Sequence, residues 1–399
     1  MINRRILIAA AAGCLALAQP AAAQDKPPIK LGAILPLTGF GATYGTLFQT
    51  GLNLGVEDVN AAGGVNGSKI ELVIEDDQLQ ATQSVLLFRK MQGLPIAAML
   101  GPVSGTSWEN VAPLANAAHL PTVNYTALKP GISVKPYALR LHPADDTMIP
   151  EGLAEFIKKF PAAKRVVIAG DLQEASGAAG VDEFKKAVQK LGLTILEVVG
   201  YQTRTTDFSP VVIKIRGLDP DAVLISSLVP TTLPLVKEME AQGFKKPILV
   251  SALVWAGNFI HAVGSAGDNL YTMGYNTNEP VAGADRRNAY TARFLAAASK
   301  TNLPPPANVS NTSVGYDSVV LLADILRKAG HDGTTDVKTM RETVTQAMGK
   351  LMDWQGLNTL RMRPNGDGHI QTHLLKADPQ GKQWLFGLPE AERLSQPAL

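Results

Sequence analysis

The chain has 399 residues, 46% of them hydrophobic, with 37 Lys and Arg against 35 Asp and Glu and a single cysteine. Near-balanced charge excludes the basic excess that nucleic-acid or membrane-surface partners demand, and one cysteine excludes a disulfide scaffold. A length near 400 exceeds one ordinary hydrophobic core, so two domains are expected.

The N-terminus reads as an export signal. Arg4 and Arg5 precede the apolar run Ile6 to Ala18, Gln19-Pro20 break it, and Ala21-Ala22-Ala23 form a small-x-small cleavage site. Residues 1–23 are therefore expected to leave, with the mature chain starting at Gln24 in the periplasm. Ala11-Ala12-Gly13-Cys14 offers a rival lipobox, but the apolar run continues past Cys14 and an Ala-x-Ala site follows, which favours soluble export. Cleavage removes two of the 37 cations, leaving 35 against 35 acids. No other apolar run reaches the ~18 residues of a spanning helix.

Downstream, short apolar runs alternate with amphipathic ones, the rhythm of parallel strands covered by helices. Strands are expected at 29–35, 69–76, 96–101, 122–125, 137–142, 165–170, 194–201, 222–227, 247–251 and 269–275. Helices are expected at 44–60, 83–92, 108–118, 146–159, 181–191, 232–242, 284–300, 313–328 and 335–348, with NLPPP (302–306) and PNGDG (364–368) as loops. One α/β unit closes near 145 and a second near 276; WQGLNTLRMRPNGDGHIQTHLLK then alternates as an antiparallel hairpin, pointing to a chain that crosses back.

Candidate binding residues lie where strands give way to helices, because ligands of open α/β sheets collect at the carboxyl ends of strands, facing helix N-termini. After the first strand, Gly39-x-Gly41-x-x-x-Gly45 suggests a dinucleotide turn. Pro36-Leu37-Thr38 separate it from the strand, and the nearest strand-end acids, Glu75-Asp76-Asp77, come about thirty residues after Gly45, so it reads instead as a loop at a cleft mouth. Tyr44 there offers a stacking face and a hydroxyl. After the third strand, Thr106-x-x-Glu109 reads as a capping box that starts a helix near Ser107, while Ser104, Gly105 and Thr106 form an anion nest suited to a carboxylate. Tyr125, Thr126 and Ala127 end the fourth strand at the same cleft. In the second half, Asp171, Ser176, Ser226-Ser227 and Ala252 to Trp255 follow strands. Catalytic patterns are missing: the six histidines lack zinc spacing, and there is no Gly-x-Ser-x-Gly, His-Glu-x-x-His or P-loop. No enzyme, metal or cofactor is expected.

The stretch ILPLTGFGATYGTLFQTGLNLGVEDVNAAGGVNGSKIELVIEDDQ resembles the opening of type I periplasmic binding proteins, in their leucine/isoleucine/valine-binding branch. The resemblance runs from Lys30 to about Leu375, through GPVSGTS, VGYDSVVLLADIL and RPNGDG. It implies an α/β fold of two Rossmann-like lobes joined by three hinge crossings, residues 28–146 plus 277–353 forming lobe 1 and 147–276 plus 354–399 lobe 2. It further implies a monomer that closes over a small carboxylate ligand and presents it to an inner-membrane ABC permease. By this resemblance the carboxylate lies against Ser104, Gly105, Thr106, Thr126 and Ala127, with Tyr44 as the loop aromatic; Trp255 and Ser227 are expected to complete the cavity from lobe 2.

Two positions depart from the family. Ala175-Ser176 stand where an aromatic is common, and Leu253-Val254-Trp255 where a glutamate holds the ligand's ammonium. A buried ammonium without a carboxylate is costly. Either Glu174 or Asp317 substitutes, or the ligand lacks the amine and Trp255 with Tyr44 suit an aromatic or bulky apolar body. A sensor of the same fold reporting to a membrane receptor is the alternative function, and an exported enzyme the third.

Overall fold

The computed structural model describes residues 26–255, 259–275, 285–301 and 310–394; the expected signal segment with Cys14 and the NLPPP loop lie outside them. The first sheet holds β1 (Lys26–Leu35), β2 (Ser68–Asp76), β3 (Ile96–Leu100), β4 (Thr122–Asn124) and β5 (Ala138–Arg140), all parallel, in the order β2-β1-β3-β4-β5. Ile29, Leu31, Ala33, Ile34 and Leu35 of β1 are all buried, since helices cover both faces of a parallel sheet; hence its continuous apolar run. Strand order reverses on either side of β1, which opens a crevice at the carboxyl ends. The connecting helices are α1 (Ala42–Ala61), α2 (Ala81–Gln92) and α3 (Gly105–Ala117).

The chain then crosses to a second sheet through α4 (Asp145–Lys159), which packs on helices and strands of that side. There β6 (Arg165–Asp171), β7 (Thr194–Tyr201), β8 (Ala222–Ser226), β9 (Ile248–Val250) and β10 (Leu270–Gly274) alternate with α5 (Ala175–Lys190), α6 (Ser209–Gly217), α7 (Val229–Ala241) and α8 (Phe259–Val263). It returns to the first lobe as α9 (Asp285–Ala298), α10 (Ser310–Lys328) and α11 (Val337–Lys350), with α9 and α10 packed on α1 and α11 on β3. A small antiparallel sheet of β11 (Asp353–Gln355), β12 (Thr359–Met362) and β13 (Gly368–His369) follows. The third crossing delivers β14 (His373–Asp378) and β15 (Gln383–Phe386) as antiparallel strands to the second sheet, ordered β15-β14-β10-β9-β8-β6-β7.

Several boundaries differ from the sequence reading. α3 starts at Gly105 rather than near Ser107, because Ser104 is the cap: its Oγ accepts from the Ser107 N–H at 3.0 Å. α5 starts at Ala175 rather than residue 181, capped by the Glu174 carboxylate. The strand expected over 137–142 shrinks to Ala138–Arg140, and α6 was not expected at all; its nine residues bury only Val212 and Ile215, too short a stripe for periodicity to register. The turn of RPNGDG closes on β5, where the Arg140 N–H donates to the Gly366 carbonyl at 3.1 Å and the fully buried Arg140 and Asp367 side chains pair at 2.8 Å.

Candidate functional site

Four helix N-termini converge between the lobes: α1 and α3 from the first, α5 and α7 from the second. Tyr44, in the first turn of α1, spans the gap. Its hydroxyl accepts from the Val229 N–H at the start of α7 and donates to the Leu253 carbonyl, both at 3.0 Å. Burial pushes the phenol above its usual range, so it stays a neutral donor.

Glu174 does the same from the opposite side. One carboxylate oxygen accepts from the Gly177 N–H at 2.8 Å, capping α5, while the other lies 3.4 Å from the Thr106 N–H of α3. Thr106 answers with its hydroxyl, which accepts from the Ala175 N–H at 3.0 Å. The start of α3, expected to face a ligand anion, thus faces a carboxylate of the protein itself. Burial raises the Glu174 pKa, opposed by the N–H groups of Gly177 and Thr106. Gly105 is required where these helices meet: a Cβ there would lie 2.2 Å from the Ser176 Oγ. That Ser176 hydroxyl is 2% exposed and has no hydrogen-bond partner among the described residues.

The inner cavity is small, about 40 Å³, where one water needs about 10–15 Å³ on the same measure. Tyr44, Phe48, Val103, Leu128, Leu228 and Leu253 supply its apolar wall, with Ser104, Thr126, Glu174 and Ser176 as polar points. A second chamber of about 200 Å³ opens at the mouth and shares Leu79, Ser104, Glu174 and Leu228 with the first.

The fold therefore gathers Tyr44, Ser104, Gly105, Thr126, Ala127 and Ser176 around the inner cavity and puts Thr106 in the outer one. The Thr126 and Ala127 N–H groups do not point at open space, since both donate to the Asn124 carboxamide oxygen, at 2.9 and 2.7 Å. Three expected residues lie outside both cavities. Tyr125 is buried edge-on to Phe48, and the Ser227 hydroxyl is bonded to Tyr201 and Thr232, each at 2.6 Å. Trp255 is buried against Tyr275, ring centroids 4.6 Å apart, and over Gly274. Asp317 is likewise outside the walls: its carboxylate accepts from the Leu357 and Asn358 N–H groups and the Asn358 side chain, and burial raises its pKa to about 6. Leu79, Phe48 and Arg204 were not picked from sequence; only the cleft-mouth position of the loops hinted at them.

The profile of the periplasmic binding protein family matches residues 28–377. The Leu/Ile/Val-binding protein homolog 8 of Brucella suis is 26% identical over 60% of this chain and 62% of its own, so the chain spans about three fifths of that relative. The branched-chain amino acid transporter substrate binding protein LivJ from Streptococcus pneumoniae, in complex with isoleucine, has the same fold, with a TM-score of 0.75 at 21% identity over 89% of this chain and 97% of that one. So does a solute binding protein of an ABC transporter from Rhodopseudomonas palustris in complex with 3,4-dihydroxy benzoic acid, with a TM-score of 0.75 at 19% identity over 90% and 95% of the two chains. Among the described residues no helix is long and apolar enough to cross a membrane, and no group of three His, Cys, Asp or Glu side chains could hold a metal ion. With two α/β lobes, three crossings and a profile match over most of its length, the chain belongs to the periplasmic binding protein family and has the type I architecture of the Leu/Ile/Val-binding branch.

Proposed function

We propose that the protein is the extracytoplasmic solute-binding component of an ABC importer, and that residues 28–146 plus 277–353 and residues 147–276 plus 354–399 close over an α-amino acid. The observation that carries this reading is Glu174, a buried carboxylate in the cavity wall beside the N-termini of α3 and α5. An amine-free acid would bring a second anion against it, which burial makes expensive. A zwitterion instead offers its ammonium to Glu174 and its carboxylate to the Ser104 and Ser176 hydroxyls. Trp255, buried behind Tyr275, no longer argues for an aromatic ligand.

Closure forms the Tyr44 and Thr106 bridges between lobes; a ligand contacting both lobes shifts the open–closed equilibrium by its differential affinity. A thermal-shift screen of the refolded mature chain, stripped of carried-over ligand, tests the reading against α-amino acids and against benzoates and branched keto acids. A ligand at 1,000 times its dissociation constant stabilises by about 4 kcal/mol, a shift of several degrees. Shifts by amino acids alone support it. Shifts confined to amine-free acids overturn the amino-acid assignment and favour the kind of ligand held by the Rhodopseudomonas palustris protein.

A further inference from the structure

We propose that the ligand carries a second, anionic group, held in the outer chamber by Arg204; this rests on the amino-acid reading for the ligand's head. The inner cavity, about 40 Å³, takes little beyond a compact head group, whereas the outer chamber has about 200 Å³ and shares four wall residues with it, so a longer ligand passes from one to the other without losing contact. Both walls are mostly apolar, but the outer one also brings Gln78, Gln80, Gln173, Thr203 and Arg204 to one chamber beside Phe40 and Leu79. A carboxylate tail lying along that wall gains charge-assisted bonds from the guanidinium and amides.

Arg204 is the cation positioned for it. It lies in the loop between β7 and α6, and its guanidinium has no hydrogen bond or ion pair with any described residue. Its planar fork matches a carboxylate. The opposite wall is built at the expense of backbone strain: Gln78 and Leu79 are consecutive non-glycine residues with φ of +53° and +60°. Asp76 and Asp77 hold that turn by accepting from the Gln78 and Leu79 N–H groups at 2.9 and 3.0 Å, which places Gln78 and Gln80 in the chamber wall and Leu79 in the wall shared by both cavities. The ligand class is an α-amino acid whose side chain ends in a carboxylate.

Isothermal titration of the stripped mature chain with glutamate, glutamine and leucine, in wild type, Arg204→Ala and Arg204→Lys, tests this. Glutamate should bind roughly tenfold or more tighter than leucine; Arg204→Ala should weaken glutamate by about 10- to 100-fold, glutamine by less than about threefold, and Arg204→Lys should restore part of the loss. Leucine binding tightest, or Arg204→Ala affecting all three ligands alike or none, overturns the proposal. If no α-amino acid binds, the reading of the head group has failed instead. The same variants titrated with amine-free dicarboxylates against monocarboxylates of equal length then decide Arg204: equal loss for both classes, or none, overturns it.

Discussion

The phenolic oxygen of Tyr44 stands 3.0 Å from the Val229 nitrogen and 3.0 Å from the Leu253 carbonyl oxygen, so a single hydroxyl from one lobe satisfies two backbone groups of the other. Tyr44→Phe keeps the ring in the cavity wall but leaves the Val229 N–H unpaired at a buried interface, a loss of about 1–3 kcal/mol. Ligand affinity by calorimetry should fall roughly 5- to 100-fold, with the ring's apolar contacts intact. Unchanged affinity would mean that closure does not depend on this bridge.

Ser104 and Thr106 separate capping from bridging. Ser104 caps α3, so Ser104→Ala should destabilise the ligand-free protein by about 1 kcal/mol, a fall of a few degrees in Tm, besides weakening binding. The Thr106 hydroxyl caps nothing in its own helix α3 but accepts from the Ala175 N–H at the start of α5 across the cleft, so Thr106→Ala should weaken binding by about 1 kcal/mol with urea stability of the free protein nearly unchanged. If Thr106→Ala lowers stability as Ser104→Ala does, the Thr106–Ala175 contact persists in the ligand-free protein and does not report on closure.

What the sequence made legible follows from periodicity. β1 was readable because a strand buried on both faces is apolar throughout, and α1 because its buried stripe is long. The first turn of α5 was not, since Ala175-Ser176-Gly177 are weak signals and the cap that starts them is a glutamate with a second partner on another lobe. Trp255 shows the sharper limit. Its place after a strand puts it at the right end of the sheet, but the 3-10 turn Ala252–Val254 carries Leu253 into the cavity and turns Trp255 away onto Tyr275. Trp255→Phe should therefore lower Tm while leaving ligand affinity within about twofold; a large affinity loss at unchanged Tm would return Trp255 to the site.

Asp317 predicts a pH dependence. Burial raises its pKa from 3.8 to about 6 against the pull of three donors from Leu357 and Asn358. The folded state thus takes up this proton before the unfolded state does. The resulting stabilisation is fully present below pH 3.8 and is lost as pH rises through about 6. Urea melts between pH 7 and 4 should show wild type gaining about 1–3 kcal/mol relative to Asp317→Asn over that window. Asp77, Asp145 and Glu174 are shifted the same way by burial and stay common to both proteins, so the difference between the two curves isolates Asp317. Parallel curves would show that Asp317 keeps an ordinary pKa.

Arg140 and Asp367 give the sharpest stability test. The pair is fully buried at 2.8 Å and joins β5 to the turn between β12 and β13, beside the Arg140–Gly366 backbone bond. Burial lowers the Arg140 pKa, with Asp367 the main opposing charge, so the guanidinium depends on that partner to stay ionised at low cost. Asp367→Ala leaves a buried cation uncompensated and should cost about 3–5 kcal/mol by chemical denaturation. Arg140→Met combined with Asp367→Leu removes both charges while filling the space, and should cost distinctly less than Asp367→Ala alone. The order is the informative result, because a double replacement worse than the single would mean that the turn depends on the Arg140 bonds to the Ala127 and Lys129 carbonyls more than on the ion pair.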